Sequence, residues 1–296
     1  MRLRDFLVLV LICLVWGYST VLSKIVIGEW EVPPLFFAAA RFAIVALVTL
    51  PWLLPMPKPA LRIIAIAILM GAGNFALLFL GLQTSSPSSV AVVVQVGVPF
   101  TTLLSIVMLG ERIHWRRGLG IALTLAGAVL VVWKPEGLTL ALGLWFVVAA
   151  AFAGSLGAVL MKRTDSVAPL RFQAWVGLIS FVPLALASAL FETNQWGSAT
   201  AAGWSFVAAL LFAALVVSVI GHSLYYWLIG KYEANLLSSL TLMTPLATIG
   251  FGVWLTDDQL DTRMIVGAGL AFLGVLIVAL RTKTPGPLAA VRGNEA

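Results

Sequence analysis

Apolar positions run along this chain in long blocks that no charged residue interrupts. Ile63 to Gly110 holds no Asp, Glu, Lys or Arg, and similar blocks cover Phe6 to Ser23, Gly137 to Met161, Phe172 to Phe191, Thr193 to Gly230 and Ala234 to Thr256. A block of roughly 18 or more mainly apolar residues is long enough to cross a bilayer as a helix. Lipid offers backbone groups no water, so helix is the expected state. A β-barrel would need ~10-residue alternating segments, and these blocks are continuous. Breaks at Pro, Gly and charge clusters predict ten helices, near 6–27, 34–54, 61–81, 88–109, 117–134, 139–160, 170–191, 203–228, 235–256 and 263–281. The fold class is therefore all-α, a polytopic membrane protein of ten transmembrane helices.

Composition agrees, with 61% hydrophobic and 10% charged residues, against ~25% charged in a soluble domain. The net charge of +6 does not point to nucleic acid, because the basic residues sit singly or in small groups between apolar blocks. With the N-terminus placed inside, Lys24, Arg41, Lys134 and Arg263 fall outside and the other 14 of the 18 basic residues fall inside. That bias places both termini in the cytoplasm. Arg2, Arg4 and Asp5 ahead of Phe6 resemble the start of a signal peptide. The run is too long and no small-residue cleavage site follows, so it reads as an uncleaved first helix. The tail, 283–296, contains Thr284-Pro285-Gly286-Pro287 and is expected to be disordered. Cys13 lies in an apolar run and reads as a packing residue.

The chain repeats itself. Pro99 is followed by Glu111, Gly120 and Gly127; Pro245 is followed by Asp257, Gly267 and Gly274, with one residue inserted. Lys24 with Pro34-Leu35 corresponds loosely to Lys162 with Pro169-Leu170. The expected units are 1–135 and 136–282. Each holds five helices, and an odd count forces the second to enter the membrane inverted. Inverted repeats place a substrate site between the halves.

Polar residues at membrane depth are expensive and each needs a reading. Trp16, Tyr18, Asn74, Phe79, Gln95, His222, Tyr225 and Thr241 are the candidate substrate-binding residues. Rings would stack on an apolar substrate, while amides, hydroxyls and the imidazole would hold its polar end. The local alternative has Ser and Thr bonding their own helix and Asn or Gln joining two helices. Pro99 and Pro245 interrupt helix bonding at matched positions and are candidate hinges. Lys24 and Arg41 lie toward outer helix ends. Either could meet a substrate carboxylate, though snorkelling to the headgroups is the simpler account.

Val15-Trp16-Gly17 with Lys24, Ala39-Ala40-Arg41-Phe42, Pro99 through Leu109-Gly110-Glu111, and Gly118-Leu119-Gly120 to Gly127 together resemble the EamA-type members of the drug/metabolite transporter superfamily, over residues 5–282. The second half departs from the pattern at Leu255-Thr256-Asp257, where the usual ending is Gly-Glu. Within that group the chain is most similar to the YddG-type aromatic amino acid exporters. The resemblance implies efflux of Phe, Tyr, Trp and related amino acids across a bacterial inner membrane by alternating access.

No acid lies within an expected span, and no phosphate-binding loop is present. Uniport of a net-neutral substrate is therefore expected, with proton coupling through His222 as the second reading. The alternative substrate is another small neutral metabolite or drug, such as a nucleobase or sugar. A membrane enzyme would need nucleophile, base or metal clusters at depth, and a channel would need charge rings or filter loops; neither appears. The expected partners are a small-molecule substrate and the lipid bilayer, with no nucleic acid, no cofactor and no metal, and the chain is expected to act as a monomer.

Overall fold

In the computed structural model every described element is helical, and the description covers residues 1–110, 115–132, 142–164, 167–229, 231–232, 237 and 240–279. Glu111, the 133–141 connection with Lys134 and Glu136, Ser238 at the start of the ninth expected helix, and the expected tail lie outside the described residues.

Helix α1 (Leu3–Lys24) continues as a π-helical turn, Ile25–Glu29. Helices α2 (Pro34–Trp52), α3 (Ala60–Thr84) and α4 (Pro87–Leu109) complete the first long group. They are followed by α5 (Trp115–Val132), α6 (Leu142–Met161) and α7 (Pro169–Phe191). Helix α8 runs Gln195–Leu211, Phe212–Gly221 and His222–Ile229; α9 is Met243–Leu255 and α10 is Thr262–Ala279. Seven of these are long and apolar enough to cross a membrane, and Gly118–Val132, Met243–Leu255 and Thr262–Val278 are shorter apolar stretches. The lipid side is marked by exposed Leu47, Val107, Leu186 and Trp204. Trp52, Trp115, Trp196 and Trp254 are exposed near helix ends, as interface anchors should be.

Local chemistry sets the ends. Pro34, Pro87 and Pro169 each open a helix, where the missing N–H costs nothing. The Ser86 side chain caps α4 by accepting from Ser89 N at 3.2 Å. Gly110 closes α4 in a left-handed conformation, φ 68°, as a C-terminal glycine does. The eighth helix begins at Gln195, not at 203 as expected. Gly203 (φ 59°, ψ −138°) kinks it without ending it, so the residue that reads as a start marks a bend.

The two halves are antiparallel copies. Glu192, at the end of α7, accepts from Leu35 N at 2.7 Å and Phe36 N at 2.8 Å at the start of α2. Asp258, beyond the end of α9, accepts from Ser88 N at 2.8 Å at the start of α4. Gly120 lies on the Gly274 backbone and Gly127 on the Gly267 backbone, so α5 and α10 cross head to tail, too close for any side chain at those positions. Further interfaces come in matched pairs: α3 with α6 against α8 with α1, and α4 with α6 against α9 with α1. Each belongs to its partner under exchange of the halves.

Candidate functional site

Two irregular segments shape the centre. In α3, residues Ile68–Gly73 form a π-helix that ends at Asn74; in α8, Phe212–Gly221 form one that ends at His222. A π-helix inserts an extra residue and turns the following side chains, and such segments recur at functional sites. Helices α4 and α9 are irregular too. Gln95 lies in a 3₁₀ turn, Val94–Val96, ahead of a segment starting at Gly97, and Thr241 lies in a turn ahead of Met243. Pro99 and Pro245 each lack the N–H that would bond the carbonyl four residues earlier, at Gln95 and Thr241.

Residues in or just beyond these segments, Phe75, Val217, His222, Gln95 and Thr241 among them, border two adjoining central cavities. The first, about 170 Å³, is lined by Trp16, Ser19, Arg41, Phe75, Phe79 and His222, among others. The second, about 280 Å³, is lined by Gln95, Thr241, Thr244, Pro245 and Thr248, among others. Trp16, Thr20 and Leu78 border both. Together they reach the range of small-molecule sites, ~300–1,000 Å³. A larger crevice of about 850 Å³ lies between α2, α7 and α8, lined by Phe36, Ala40, Ile44, Phe181 and Trp196 with Glu192 at one end. Glu192 is already bonded to Leu35 and Phe36, and most of the wall is apolar. The convergent polar and aromatic groups lie in the central pair instead.

Arg41 is the principal charge there. It is 2% exposed, donates from Nε to Ser218 Oγ at 2.9 Å, and lies 4.5 Å above the Phe75 ring, a cation–π distance. Ser218 is fixed by the π-helix, donating to Ala213 O at 3.0 Å, while Gln173 Nε2 donates to Ser218 O at 3.2 Å. The expectation that Arg41 snorkels to the headgroups is therefore corrected. Its stem points into the bundle because α8 covers that face of α2.

Aromatic rings form the rest of the wall. Phe75 and Phe79 meet edge to face at 5.8 Å, and Phe79 stacks on Phe37 at 5.4 Å. The Trp16 ring is 5.1 Å from His222 and 5.2 Å from Tyr225. Trp16 Nε1 is buried with no hydrogen-bond partner among the described residues. His222 Nδ1 lies 3.0 Å from Val217 O; a carbonyl only accepts, so Nδ1 carries the proton. Tyr225 stands behind Trp16, packed with Leu9, Cys13 and Leu228.

Other candidates serve the fold. Asn74 Nδ2 donates to Ala150 O at 2.7 Å, joining α3 to α6. Tyr18 faces away from both cavities, edge-on to Phe212 and Phe251. Lys24 Nζ caps the end of α3, donating to Leu82 O at 2.8 Å and Gln83 O at 3.1 Å. Thr20 and Thr248 donate to carbonyls of their own helices. Ser218 had no sequence signal, since a lone serine in an apolar run looks like any other.

Comparison with known proteins follows the same lines. Residues 4–133 and 141–280 each match the model of the EamA-like transporter family. A "Probable amino-acid metabolite efflux pump" of Escherichia coli (strain K12) is 28% identical over 290 residues, covering 94% of this chain and 95% of that protein. "Uncharacterized transporter YoaV" of Bacillus subtilis (strain 168) is 26% identical over 281 residues, covering 90% and 93%. A solved crystal structure 21% identical in sequence superposes with a TM-score of 0.61 over 99% of this chain and 100% of that one, which shows the shared fold.

Proposed function

Because the chain belongs to the EamA-like transporter family, and so is a multi-pass inner-membrane transporter, we propose that it exports neutral amino acids, aromatic ones among them, by alternating access through the central cavities. The observation that carries this reading is Arg41, a buried cation set over Phe75 and beside Phe79 and Trp16. The guanidinium matches a carboxylate, and the ring wall matches an apolar side chain. Gln95 and Thr241 in the adjoining cavity supply further polar contacts. The relative described as an amino-acid metabolite efflux pump points to the same substrate class.

Uptake of labelled Phe, Trp, Thr and a nucleobase by liposomes holding the purified protein tests it. Phe and Trp are carried, and the nucleobase is not. Alanine at Trp16, Gln95 or His222 lowers the rate. Parent rates for all three variants would remove the cavity from the account. Proton coupling through His222 stands as a second reading, favoured by its place on the cavity wall against Trp16. Uptake that is unchanged when the proton gradient is collapsed removes it.

A further inference from the structure

Arg41 is a cation buried inside the bundle, with no anion beside it among the described residues. No carboxylate of the described residues lies within ion-pair distance of it, and none of the described cavity residues is acidic. An isolated charge in a low-dielectric interior is costly, and an anionic ligand relieves that cost. A zwitterion brings the anion but also an ammonium, for which the described wall offers ring faces and hydroxyls and no acid. Resting on the reading that this cavity is the transport site, we infer that its substrate class is the aromatic monocarboxylates, with or without an α-amino group, and that those lacking the amino group cross as anions. The carboxylate pairs with Arg41 and the ring lies on Phe75, Phe79 and Trp16. An anion leaving a negative interior moves down the electrical gradient. Export then needs no proton-binding acid in the cavities, in keeping with walls that hold none among the described residues.

The test uses the full chain in liposomes at clamped pH, with protein-free liposomes as the blank. Phenylpyruvate competes with labelled phenylalanine at least as well as phenylalanine itself. Phenethylamine, which lacks the carboxylate, competes about tenfold or more weakly, as the loss of a charge-assisted bond requires. Under an interior-positive potassium diffusion potential, labelled phenylpyruvate accumulates about tenfold for each ~59 mV imposed, while phenylalanine does not respond. Arg41→Gln weakens phenylpyruvate binding about 30-fold, and Arg41→Lys retains the order of ligands. Should Arg41→Gln fail to fold, the ligand series and the potential on the parent protein still decide. Phenethylamine matching phenylpyruvate, or phenylpyruvate flux indifferent to potential, overturns the inference. Transport of phenylalanine with exclusion of phenylpyruvate overturns it while leaving the amino-acid reading in place. Exclusion of both removes that reading as well.

Discussion

Asn74 and His222 each follow the π-helix of their own half, and there their chemistry diverges. Asn74 spends its amide on Ala150 O, whereas His222 stands on the cavity wall beside Trp16. Asn74→Ala therefore lowers stability in detergent by ~0.6–2 kcal/mol, read as a fall in the unfolding midpoint, and leaves substrate affinity unchanged. A loss of affinity with no loss of stability would place Asn74 in the site. Trp16, Phe79, Gln95, His222 and Thr241 were legible because ring and polar side chains are rare and costly at such depth. Arg41 was read either as a contact for a substrate carboxylate or as snorkelling to the headgroups, and its inward course was not legible. Sequence gives a residue's distance from a helix end but not which neighbour covers its face, and the covering group is Ser218, far along the chain.

At the scale of elements, charge-free blocks and prolines marked where helices begin, because lipid leaves the backbone little choice but helix. The interruptions were harder to read. Only Pro99 and Pro245 announce theirs; the π-helices depend on packing between halves, such as Ala72 N donating to Ser180 Oγ at 3.0 Å. If the matched prolines are hinges, Pro99→Ala and Pro245→Ala restore a backbone bond and stiffen α4 and α9. Both variants are expected to bind substrate normally and to transport it several-fold more slowly, in equilibrium binding and initial-rate measurements on one preparation. Glu192→Ala strips the partner from two amides at the start of α2. Loss of a cap of this kind costs ~0.5–2 kcal/mol, measurable as a lower unfolding midpoint, with ligand preference retained.

For the molecule as a whole, the repeated spacing marked two units and the odd helix count foretold their inversion, but the packing of α5 on α10 through those glycines was not foreseen. Gly127 lies against the backbone of Gly267 and Ala271. Gly127→Leu forces these helices apart at a cost of ~1–3 kcal/mol or more and should sharply reduce the yield of folded protein on size-exclusion chromatography. The central claim is that substrate binds at the seam between the halves and not in the larger crevice on the flank. With Cys13 replaced by Ser, single cysteines Thr20→Cys on the seam and Ala40→Cys in the crevice can be labelled with a maleimide with and without phenylalanine. Slower labelling at position 20 alone is the predicted result. Protection at position 40 with none at position 20 would contradict the account.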